Sequence, residues 1–522
     1  MKDSEVTRPL DRLVLTAAAQ RAVDEEAVAR GVPHADLMES AGRSAAEWTF
    51  EHLNPTRVAV LAGPGGNGGD ALVVARLLIE RGVDTRTFLL SLPDRMTETA
   101  RTMLERLEAV GGRPIPVEGG PCETVERALA WADCAVDGLL GSGATRPLEG
   151  RYLDVVKLLN GADVRVVSLD LPSGLASDAG RLLGEAVRAD VTLAMAFLKP
   201  AHLLFPASER CGNVAVVDVA YPPALLEGVE PLARVPERAG IARWLPARRP
   251  DGHKGTFGRV LVVAGSVGMT GAAILCCRGA LRAGAGLVTL AAPGSLDGIL
   301  EAALPEVITI PLPDEGGRLR NVDDARFAAA FERADVLAIG PGLSRASGTA
   351  AAVRDLVAAF DGPIVLDADG IVAFAGHVDR LKDARRLLLT PHPGELGSLV
   401  GRSPEDVDAD RITEARVFAV EHDVALLLKG RPSAIGLPNG RVWLNPTGNA
   451  GLATGGSGDV LTGLIAGFVA GGASLENAAI LGAYVHGWAA EVFVRDRAER
   501  SLLPSDLIDL LPMVLREVET WR

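Results

Sequence analysis

The sequence is poor in aromatic residues, in cysteine and in positive charge. Phe, Trp and Tyr make up 4% of its 522 residues, so an aromatic-rich binding surface is not expected. Its five cysteines form no CxxC pair and no repeated spacing, which disfavours a zinc site or a disulfide framework and fits a reducing compartment. With 67 acidic against 53 basic residues, the net charge of −14 argues against a nucleic-acid or anionic-membrane partner.

Long hydrophobic runs are also missing. The N-terminal stretch carries acidic residues and lacks a long apolar core, so it does not resemble a secretory signal. The most apolar stretch, residues 460–475, is too short and too rich in Gly to span a bilayer comfortably. We therefore expect a cytoplasmic protein. Its 48% apolar and 23% charged residues suffice for one or more sizeable globular cores.

Short β-branched runs alternate with longer stretches of helical apolar spacing along the whole chain. Each run ends in Gly, Asp or Ser, as buried parallel strands with functional turns at their carboxyl ends do. These runs are residues 57–63, 165–174, 213–219, 259–266, 334–342 and 363–370. The intervening stretches, such as 71–82 and 271–286, end at Gly, as helices often do. The pattern predicts the α/β, doubly wound class.

This strand–turn–helix series starts twice, near residue 57 and again at Arg259. A Pro-rich segment without sustained periodicity lies between the two series, and it indicates a linker or domain edge near 225–245. We therefore expect one domain over 1–228 and a second over 229–522. The two halves share no obvious repeat, which favours two different α/β domains.

A glycine-rich turn, LAGPGGNGGDALVVAR (61–76), follows the first predicted strand. The amide groups of such a turn, with the N-terminus of a helix predicted to open near Asp70, suit a phosphate group. No Gly-Lys-Ser/Thr follows, so the turn is not a Walker loop. A plain β–α turn with Asp70 as the N-cap residue remains the alternative.

Two further loops, AVDGLLGSGATRPLEG (135–150) and SLDLPSGLASDAG (168–180), place an Asp at a strand end. All three loops would lie at one edge of a parallel sheet, where ligands bind. Oxygen atoms of Asn67, Asp137 and Ser173 could together hold a cation there. Each acid alone is better explained as a cap or turn residue, but three such loops in one series favour a site.

These loops resemble the NAD(P)H-hydrate epimerase family over about residues 10–225. The resemblance implies a Rossmann-like three-layer sandwich, K⁺ bound by Asn67, Asp137 and Ser173, and Asp170 as the acid/base that inverts the hydrated carbon. It places substrate contacts on Gly66, Asn67, Gly68, Gly69, Asp70, Gly141, Ser142, Gly143, Ala144, Thr145, Arg146 and Pro147. The family usually has two consecutive Asn where this chain has Gly66 and Asn67, and Ala71 replaces a frequent Gly. Gly66 therefore lacks one side-chain contact to the substrate.

The densest signal of the second series is NPTGNAGLATGGSGDVLTGLIAGF (445–468), which resembles the anion-hole motif of ribokinase-like kinases. The backbone amides and the helix dipole there would hold phosphates or a developing negative charge. These amides belong to Gly455, Gly456, Ser457 and Gly458. Asp459 could accept a proton from a substrate hydroxyl, or could simply stabilise the helix dipole.

Two other loops support a site in this second series. The HPGE turn with His392 reads as an exposed turn rather than a core position. Lys429 follows an apolar run and could either reach solvent at a sheet edge or contact a nucleotide phosphate.

With HKGTFGRVLVVAGS, IGPGL, LDADG, LTPHPGE and YVHG, these segments resemble the ADP/ATP-dependent NAD(P)H-hydrate dehydratase family across 253–487, in family order. The resemblance implies a ribokinase-like domain with hydrated-nicotinamide contacts at Ala272, Gly342, His392 and Asp459. It implies nucleotide contacts at Lys429, Gly430, Arg431, Pro432, Ser433 and Gly458.

Both resemblances on one chain imply a two-step repair of hydrated NADH and NADPH. The first domain would interconvert the R and S hydrates. The second would use ADP or ATP, with Mg²⁺, to phosphorylate the ring hydroxyl of the S hydrate and then eliminate phosphate. A homo-oligomer is expected from the family. Two alternatives stay open: a ribokinase-like small-molecule kinase, and a non-catalytic N-terminal binding module.

Overall fold

The computed structural model describes residues 11–117 and 122–522, which divide into two compact units. The N-terminal unit is Leu13–Leu232, and the C-terminal unit is Ala233–Arg522 together with Asp11 and Arg12. The sequence pattern placed the domain boundary after residue 228. Within the C-terminal unit, Asp11 pairs with Arg234 at 2.6 Å and Arg12 pairs with Glu237.

The first eight strands in chain order are β1 (Asp11–Val14), β2 (Arg57–Ala62), β3 (Asp84–Leu89), β4 (Ile115–Pro116), β5 (Cys134–Gly138), β6 (Arg165–Leu169), β7 (Val191–Met195) and β8 (Asn213–Val217). The helices in the same part of the chain are α1 (Ala17–Ala29), α2 (His34–Leu53), α3 (Gly66–Glu80), α4 (Glu98–Ala109), α5 (Glu123–Trp131), α6 (Gly150–Gly161), α7 (Pro200–Leu203) and α8 (Pro223–Leu226).

The N-terminal unit is a three-layer sandwich around a parallel sheet with the order β4-β3-β2-β5-β6-β7-β8. The side chains of β2 alternate between two apolar clusters. Val58 and Val60 pack with residues of α2, α3 and α4, whereas Ala59 and Leu61 pack with residues of α5 and α6. Both faces of the strand are therefore buried, which explains its nearly continuous apolar sequence.

The remaining strands are β9 (Ala233–Pro236), β10 (Arg259–Val263), β11 (Leu287–Pro293), β12 (Ile308–Leu312), β13 (Asp314–Glu315), β14 (Arg318–Leu319), β15 (Val336–Ile339), β16 (Pro363–Leu366), β17 (Arg386–Leu389), β18 (Ala425–Leu428), β19 (Ser433–Gly436) and β20 (Val442–Asn445). The remaining helices are α9 (Arg238–Trp244), α10 (Thr270–Arg282), α11 (Asp297–Ala303), α12 (Ala325–Arg333), α13 (Ser347–Ala359), α14 (Asp369–Val372), α15 (Pro393–Val400), α16 (Pro404–Ala409), α17 (Arg411–His422), α18 (Ser457–Ala470), α19 (Leu475–Phe493) and α20 (Pro504–Glu519).

The large sheet of the C-terminal unit has the order β1-β9-β20-β19-β18-β17-β16-β15-β10-β11-β12. Its strands run parallel from β12 to β18, and the pairs β18–β19 and β19–β20 are antiparallel. Residues of α9, α10, α18, α19 and α20 share one large core on this sheet. The predicted α/β class with doubly wound domains is confirmed.

Two local predictions need correction. The predicted strands end earlier than expected, because their last Gly, Asp or Ser residues already belong to the following turns. Helix α3 begins at Gly66 rather than near Asp70, with Gly65 as its N-cap. The segment near 225–245 contains the boundary between the two units, after Leu232, and holds β9 and α9 on its C-terminal side, so it is a domain edge, one of the two predicted possibilities. No helix among the described residues is long and apolar enough to cross a membrane.

Candidate functional site

In the N-terminal unit, the predicted cation ligands Asp137 and Ser173 form one buried cluster. Asp137 closes β5, and its Oδ1 accepts a hydrogen bond of 2.7 Å from Ser173 Oγ. Its Oδ2 accepts hydrogen bonds from the Ser173 amide at 3.0 Å and from Ser168 Oγ at 2.8 Å. Burial raises the pKa of Asp137 despite these hydrogen bonds. The cluster ties together the loops that follow β5 and β6.

Asn67 is the third predicted cation ligand, and it lies in the first turn of α3. Its side chain is buried, yet neither Oδ1 nor Nδ2 has a hydrogen-bond partner in the described structure. A Cβ atom placed on Gly141 would lie 3.2 Å from Asn67 Cβ and 3.1 Å from Asp170 Oδ2. Gly141 therefore brings the three predicted loops together, with an unsatisfied amide among them.

Asp170 follows β6 in the left-handed conformation, with φ of +57°. Its Oδ2 accepts a hydrogen bond of 3.0 Å from the amide of Ser142, which belongs to the predicted substrate loop. The rest of that loop, 143–147, is mostly exposed. A non-Gly residue in this backbone region is costly, and such residues concentrate at functional sites.

Two residues absent from the predicted loops surround Asp170. The ammonium of Lys199, which is fully buried, lies 3.4 Å from Asp170 Oδ1. His202 Nδ1 accepts from the Lys199 amide at 2.9 Å, and its Nε2 lies 2.7 Å from the Asp170 carbonyl oxygen. This arrangement identifies Nε2 as the protonated nitrogen. Burial, then Lys199, lowers the pKa of His202 to about 4, so the ring is neutral at pH 7.

The carboxyl groups of this site have opposite pKa shifts. Burial alone would raise the pKa of Asp170, but Lys199, His202 and the Ser142 amide hold it below its ordinary value. Burial raises the pKa of Asp70 well above its ordinary value, and the charges of Asp170 and Asp24 add to this effect. The site therefore pairs an ionised carboxylate with a carboxyl that favours its proton, as acid/base chemistry requires.

In the C-terminal unit, the predicted glycine motif forms the N-terminus of α18. Gly456 is the N-cap residue in a left-handed conformation with φ of +100°, and Ser457 begins the helix. Ser457 Oγ donates a hydrogen bond of 2.8 Å to the carbonyl oxygen of Leu452, so this hydroxyl holds the turn. The Ser457 amide donates to the carbonyl oxygen of Thr454 at 3.3 Å, so this predicted anion-binding amide is already occupied. The free amides of the first turn have the arrangement that suits an anion.

Asp367, which follows β16, organises the groups beside this helix end. Its buried carboxylate accepts hydrogen bonds from Lys429 Nζ at 2.9 Å and from Thr390 Oγ1 and Thr462 Oγ1 at 2.8 Å each. Thr462 lies on α18 one turn beyond Asp459, and Thr390 follows β17. A single carboxylate thus connects two strand ends, the predicted nucleotide-binding lysine and α18.

Lys429 lies beside the first turn of α18, since a Cβ atom on Gly458 would stand 3.2 Å from its Nζ. Its second carboxylate neighbour is Glu395, at 3.8 Å. Burial disfavours the charged amine, but Asp367 and Glu395 raise the pKa of Lys429. This partly buried cation next to the helix amides creates a positive position at which a phosphate group would be stabilised.

Asp459 in the first turn of α18 has the surroundings of a general base. Burial, followed by the charge of Asp367, raises its pKa to about 7, against the opposing effect of Lys429. Because Lys429 already pairs with Asp367, Asp459 has no ion-pair partner among the described residues. A carboxylate with this pKa can accept a proton near neutral pH.

The other predicted contacts of this unit fall into two places. Ala272 and Gly342 meet: a Cβ atom on Gly342 would lie 3.0 Å from Ala272 Cβ. His392 is the N-cap of α15; its Nδ1 accepts from the amides of Gly394 and Glu395, and 57% of its side chain is exposed. It therefore has a structural role as well as an exposed ring nitrogen.

The segment 429–433 forms the turn between β18 and β19. Ser433 Oγ lies 3.3 Å from the amide nitrogen of Gly430, and the guanidinium of Arg411 donates to the carbonyl oxygen of Pro432. The buried side chain of Arg411 therefore helps to hold the predicted nucleotide-binding turn in place.

The NPTGN residues bind α19 rather than facing the glycine turn. Asn445 Nδ2 donates to the Ala483 carbonyl oxygen at 3.1 Å, Thr447 Oγ1 to that of Tyr484 at 2.9 Å, and Asn449 Nδ2 to that of Ala490 at 2.9 Å. Their polar side chains dock the segment before the glycine turn onto a helix.

Sequence reasoning missed Lys199 and His202, and it quoted Asp367 only as part of a motif. A weak signal exists for Lys199, because a lysine directly after the apolar strand sequence VTLAMAFL is unusual unless a partner compensates its charge. Thr390 and Thr462 carry no such signal, since their contacts with Asp367 join distant parts of the chain.

Comparisons with known proteins cover both units. Residues 260–513 match the family described as NAD(P)H-hydrate dehydratase, and residues 34–201 match the family described as YjeF-related protein N-terminus. The bifunctional NAD(P)H-hydrate repair enzyme Nnr of Moorella thermoacetica is 40% identical over 496 residues, covering 94% of this chain and 93% of the relative. The enzyme of the same name from Salinibacter ruber is 39% identical, covering 97% and 96%.

Among solved structures, an ADP/ATP-dependent NAD(P)H-hydrate dehydratase from Bacillus subtilis, co-crystallised with ATP/Mg²⁺, is 31% identical. The match covers 54% of this chain and 98% of that one, with a TM-score of 0.47.

Proposed function

The chain belongs to the family of bifunctional NAD(P)H-hydrate repair enzymes, and from that premise we propose how its residues divide the two reactions. The N-terminal unit interconverts the R and S hydrates of NADH and NADPH, with Asp170 as the proton-transferring group. The C-terminal unit dehydrates the S hydrate at the N-terminus of α18, with Asp459 as the base. Relatives that span both units disfavour the alternative of a small-molecule kinase.

Dehydration begins with proton transfer from the ring hydroxyl of the hydrate to Asp459. The hydroxyl oxygen attacks the terminal phosphorus of ADP or ATP, and the shortened nucleotide leaves. The free amides at the N-terminus of α18 and the ammonium of Lys429 stabilise the charge on the transferring group. Loss of phosphate, with a proton from the neighbouring ring carbon, then restores the double bond. Phosphorylation is needed because hydroxide is a poor leaving group.

The expected Mg²⁺ does not have a ready set of protein ligands. Among the described residues, no three acidic, His or Cys groups are arranged to hold a metal ion, and Asp367 is already bound by Lys429. We therefore assign no protein ligand to Mg²⁺, which commonly binds through the phosphates of a nucleotide. The turn 429–433 beside the helix end supports the nucleotide position.

Epimerisation is supported by the convergence of three loops on Asp170. The Ser142 amide holds one oxygen of its carboxylate, and this amide belongs to the loop proposed to bind the substrate. Asp170 in its ionised form takes a proton, and Asp70, whose pKa is raised, is suited to donate one. If Asp170 takes the proton of the ring hydroxyl while the ring nitrogen receives one, the bond between that nitrogen and the hydrated carbon can open to an aldehyde, and reclosure on the other face reverses both proton transfers and inverts the carbon.

The proposed K⁺ site is compatible with the residues present. The orphaned buried oxygen of Asn67, the carboxylate of Asp137 and the hydroxyl of Ser173 are hard oxygen ligands. A bound monovalent cation would favour the ionised form of Asp137 and would help to fix the loop 135–150, which contains Gly141.

The observation that carries this proposal is the convergence of Asp459, Lys429 and the α18 amides. The test adds the protein, Mg²⁺ and ADP or ATP to a mixture of R and S hydrates and follows the near-ultraviolet absorbance of reduced nicotinamide. Complete recovery, faster than spontaneous epimerisation permits, supports both activities. Recovery that stops at the S fraction would make the N-terminal unit a binding module. No recovery with either nucleotide would refute the repair function.

We also propose a cytoplasmic homo-oligomer whose partners are small molecules. Light scattering on the purified full-length chain would determine its mass in solution, and a monomeric mass would refute this proposal.

A further inference from the structure

Lys199 is the most unusual charged residue outside the predicted loops. It lies after β7, at the same edge of the sheet as Asp170, which follows β6, and its side chain is fully buried. Its ammonium contacts three oxygens: Asp170 Oδ1 at 3.4 Å, the carbonyl of Phe197 at 3.4 Å, and Oε1 of Gln20 on α1. Burying an ammonium group costs free energy, and the fold keeps Lys199 buried despite this cost.

The backbone around this ion pair is held in sparsely populated conformations. Asp170 has a φ of +57°, and Ala196, which follows the adjacent strand, has a φ of +60°. His202 joins the two segments, because one ring nitrogen accepts from the Lys199 amide and the other donates to the Asp170 carbonyl. Asp170 and Ala196 both have costly backbone conformations at neighbouring strand ends, and the ring of His202 connects their two segments. The fold therefore fixes the position of Asp170 relative to Lys199.

Asp170 has several acidic neighbours. Burial, and in addition the negative charge of Asp170, raises the pKa of Asp70 on α3, of Asp24 on α1 and of Tyr221, whose phenol donates to Asp24. His202 lowers the pKa of Asp170 only in its charged form, and its own pKa of about 4 leaves it neutral at pH 7. Among the ion pairs of the described residues, Lys199 is the partner of Asp170.

We propose that Lys199 is a positioning residue for the epimerisation reaction, which holds the Asp170 carboxylate in the single orientation that proton transfer needs. Its ammonium fixes Oδ1 while the Ser142 amide fixes Oδ2, so the carboxylate plane is set by two partners from different loops. Gln20 in turn holds the ammonium, which links α1 to the orientation of the base. The inference rests on the proposed role of Asp170.

The test compares Lys199→Met and Lys199→Gln with the wild-type chain, using R hydrate for epimerisation and S hydrate for dehydration. We expect the kcat of epimerisation to fall roughly tenfold to a hundredfold in both variants, because the base is misplaced, with KM nearly unchanged. Added methylammonium should restore part of kcat in Lys199→Met by refilling the ammonium position. Lys157→Met, which removes an exposed lysine of α6, is the matched control and should leave kcat, KM and amine response unchanged.

Circular dichroism and thermal unfolding report whether the N-terminal unit of each variant is folded, because dehydration is assigned to the other unit and should stay at the wild-type rate. If Lys199→Met is unfolded by this measurement, Lys199→Gln decides, and wild-type epimerisation by it overturns the proposal. Unchanged kcat in either folded variant, or a rise in KM alone, also overturns it. Asp170→Asn distinguishes failure of the proposed function from failure of this inference. If Asp170→Asn epimerises normally, the proposed function of Asp170 fails. If Asp170→Asn is inactive while Lys199→Met is fully active, only the role of Lys199 is refuted.

Discussion

The pKa values of Asp170 and Asp459 are shifted in opposite directions, because a lysine pairs directly with the first carboxylate and not with the second. Lys199 pairs directly with Asp170 and lowers its pKa, which makes this carboxylate ionised well below neutral pH. Lys429 pairs with Asp367 instead, so Asp459 remains without a compensating partner and has a pKa of about 7. Asp170 is therefore ionised throughout the neutral pH range, whereas Asp459 titrates within that range.

The pKa of Asp459 predicts the pH dependence of dehydration. The base works in its ionised form, so kcat for S hydrate should rise as pH increases through about 7 and level off above it. Above pH 7, Asp459→Asn should lower kcat by roughly a hundredfold or more, and the variant should lose the rise of kcat through pH 7. Initial rates at saturating nucleotide and hydrate provide the measurement. A wild-type kcat that stays flat on both sides of neutrality would contradict the assignment of Asp459 as the base.

Gly66 and Gly68 stand two residues apart in the first turn of α3, and they predict opposite responses to alanine. No atom lies within 4 Å of a Cβ atom on Gly66, whereas a Cβ atom on Gly68 would overlap the carbonyl oxygen of Gly63. Gly66→Ala should change the free energy of unfolding by less than about 1 kcal/mol. Gly68→Ala should lower the thermal midpoint and abolish epimerisation, since the turn must move. Thermal unfolding and R-hydrate assays on both variants test this pair.

The open space at Gly66 also makes a gain of function testable. Gly66→Asn introduces the side chain that the related family usually carries there, and its Cβ atom would have no neighbour within 4 Å. We expect a lower KM for the hydrates, by a factor that one added hydrogen bond of about 1 kcal/mol would produce. Gly66→Ala serves as its control. Equal KM values for the two variants would show that position 66 does not contact the substrate.

At the scale of secondary structure, the strands and the glycine turns were predictable, but the exact ends and the polar connections were not. The apolar runs beginning at Arg57 and Arg259 are β2 and β10, because a strand buried on both faces needs such a run. The start of α3 was misplaced because four residues of Gly and Asn have poor helix propensity, and tertiary packing against Gly63 overrides it.

The NPTGN segment shows why a motif does not by itself identify a contact. It lies within the stretch that resembles the anion-hole motif, yet its three polar side chains bind the carbonyl oxygens of Ala483, Tyr484 and Ala490 on α19. The same residue types suit both purposes, and only the fold decides between them. Asp367 presents the reverse case, since its partners come from three separate segments that no local pattern connects.

The N-terminus of α18 makes a prediction that belongs to the helix as an element. Gly456 has a φ of +100°, and a Cβ atom there would approach Leu275 Cδ1 to 2.7 Å, whereas Gly455 has open space. Gly456→Ala should distort the first turn, raise the KM for the nucleotide and lower kcat. Gly455→Ala should retain most of both. Nucleotide titrations with S hydrate compare them, and equal behaviour would show that the turn tolerates a change of backbone conformation.

At the scale of the whole molecule, the two-unit organisation followed from the repeated strand series, whereas the affiliation of the first residues did not. Asp11 and Arg12 belong to the C-terminal unit through pairs with Arg234 and Glu237, more than two hundred positions away in the sequence. Each unit nevertheless has its own sheet, its own apolar core and its own set of titrating residues. Each unit should therefore contain a complete site.

This completeness predicts complementation between inactive chains. Asp170→Asn alone should recover only the S fraction of a hydrate mixture, and Asp459→Asn alone should recover none. Mixing the two variants with nucleotide and Mg²⁺ should restore full recovery, because the epimerised hydrate can diffuse from one chain to the other. The control contains Asp170→Asn protein alone, at the total protein concentration of the mixture, and its recovery is corrected for spontaneous epimerisation. If the mixed variants recover no more than the S fraction, a residue required for one reaction must lie in the other unit.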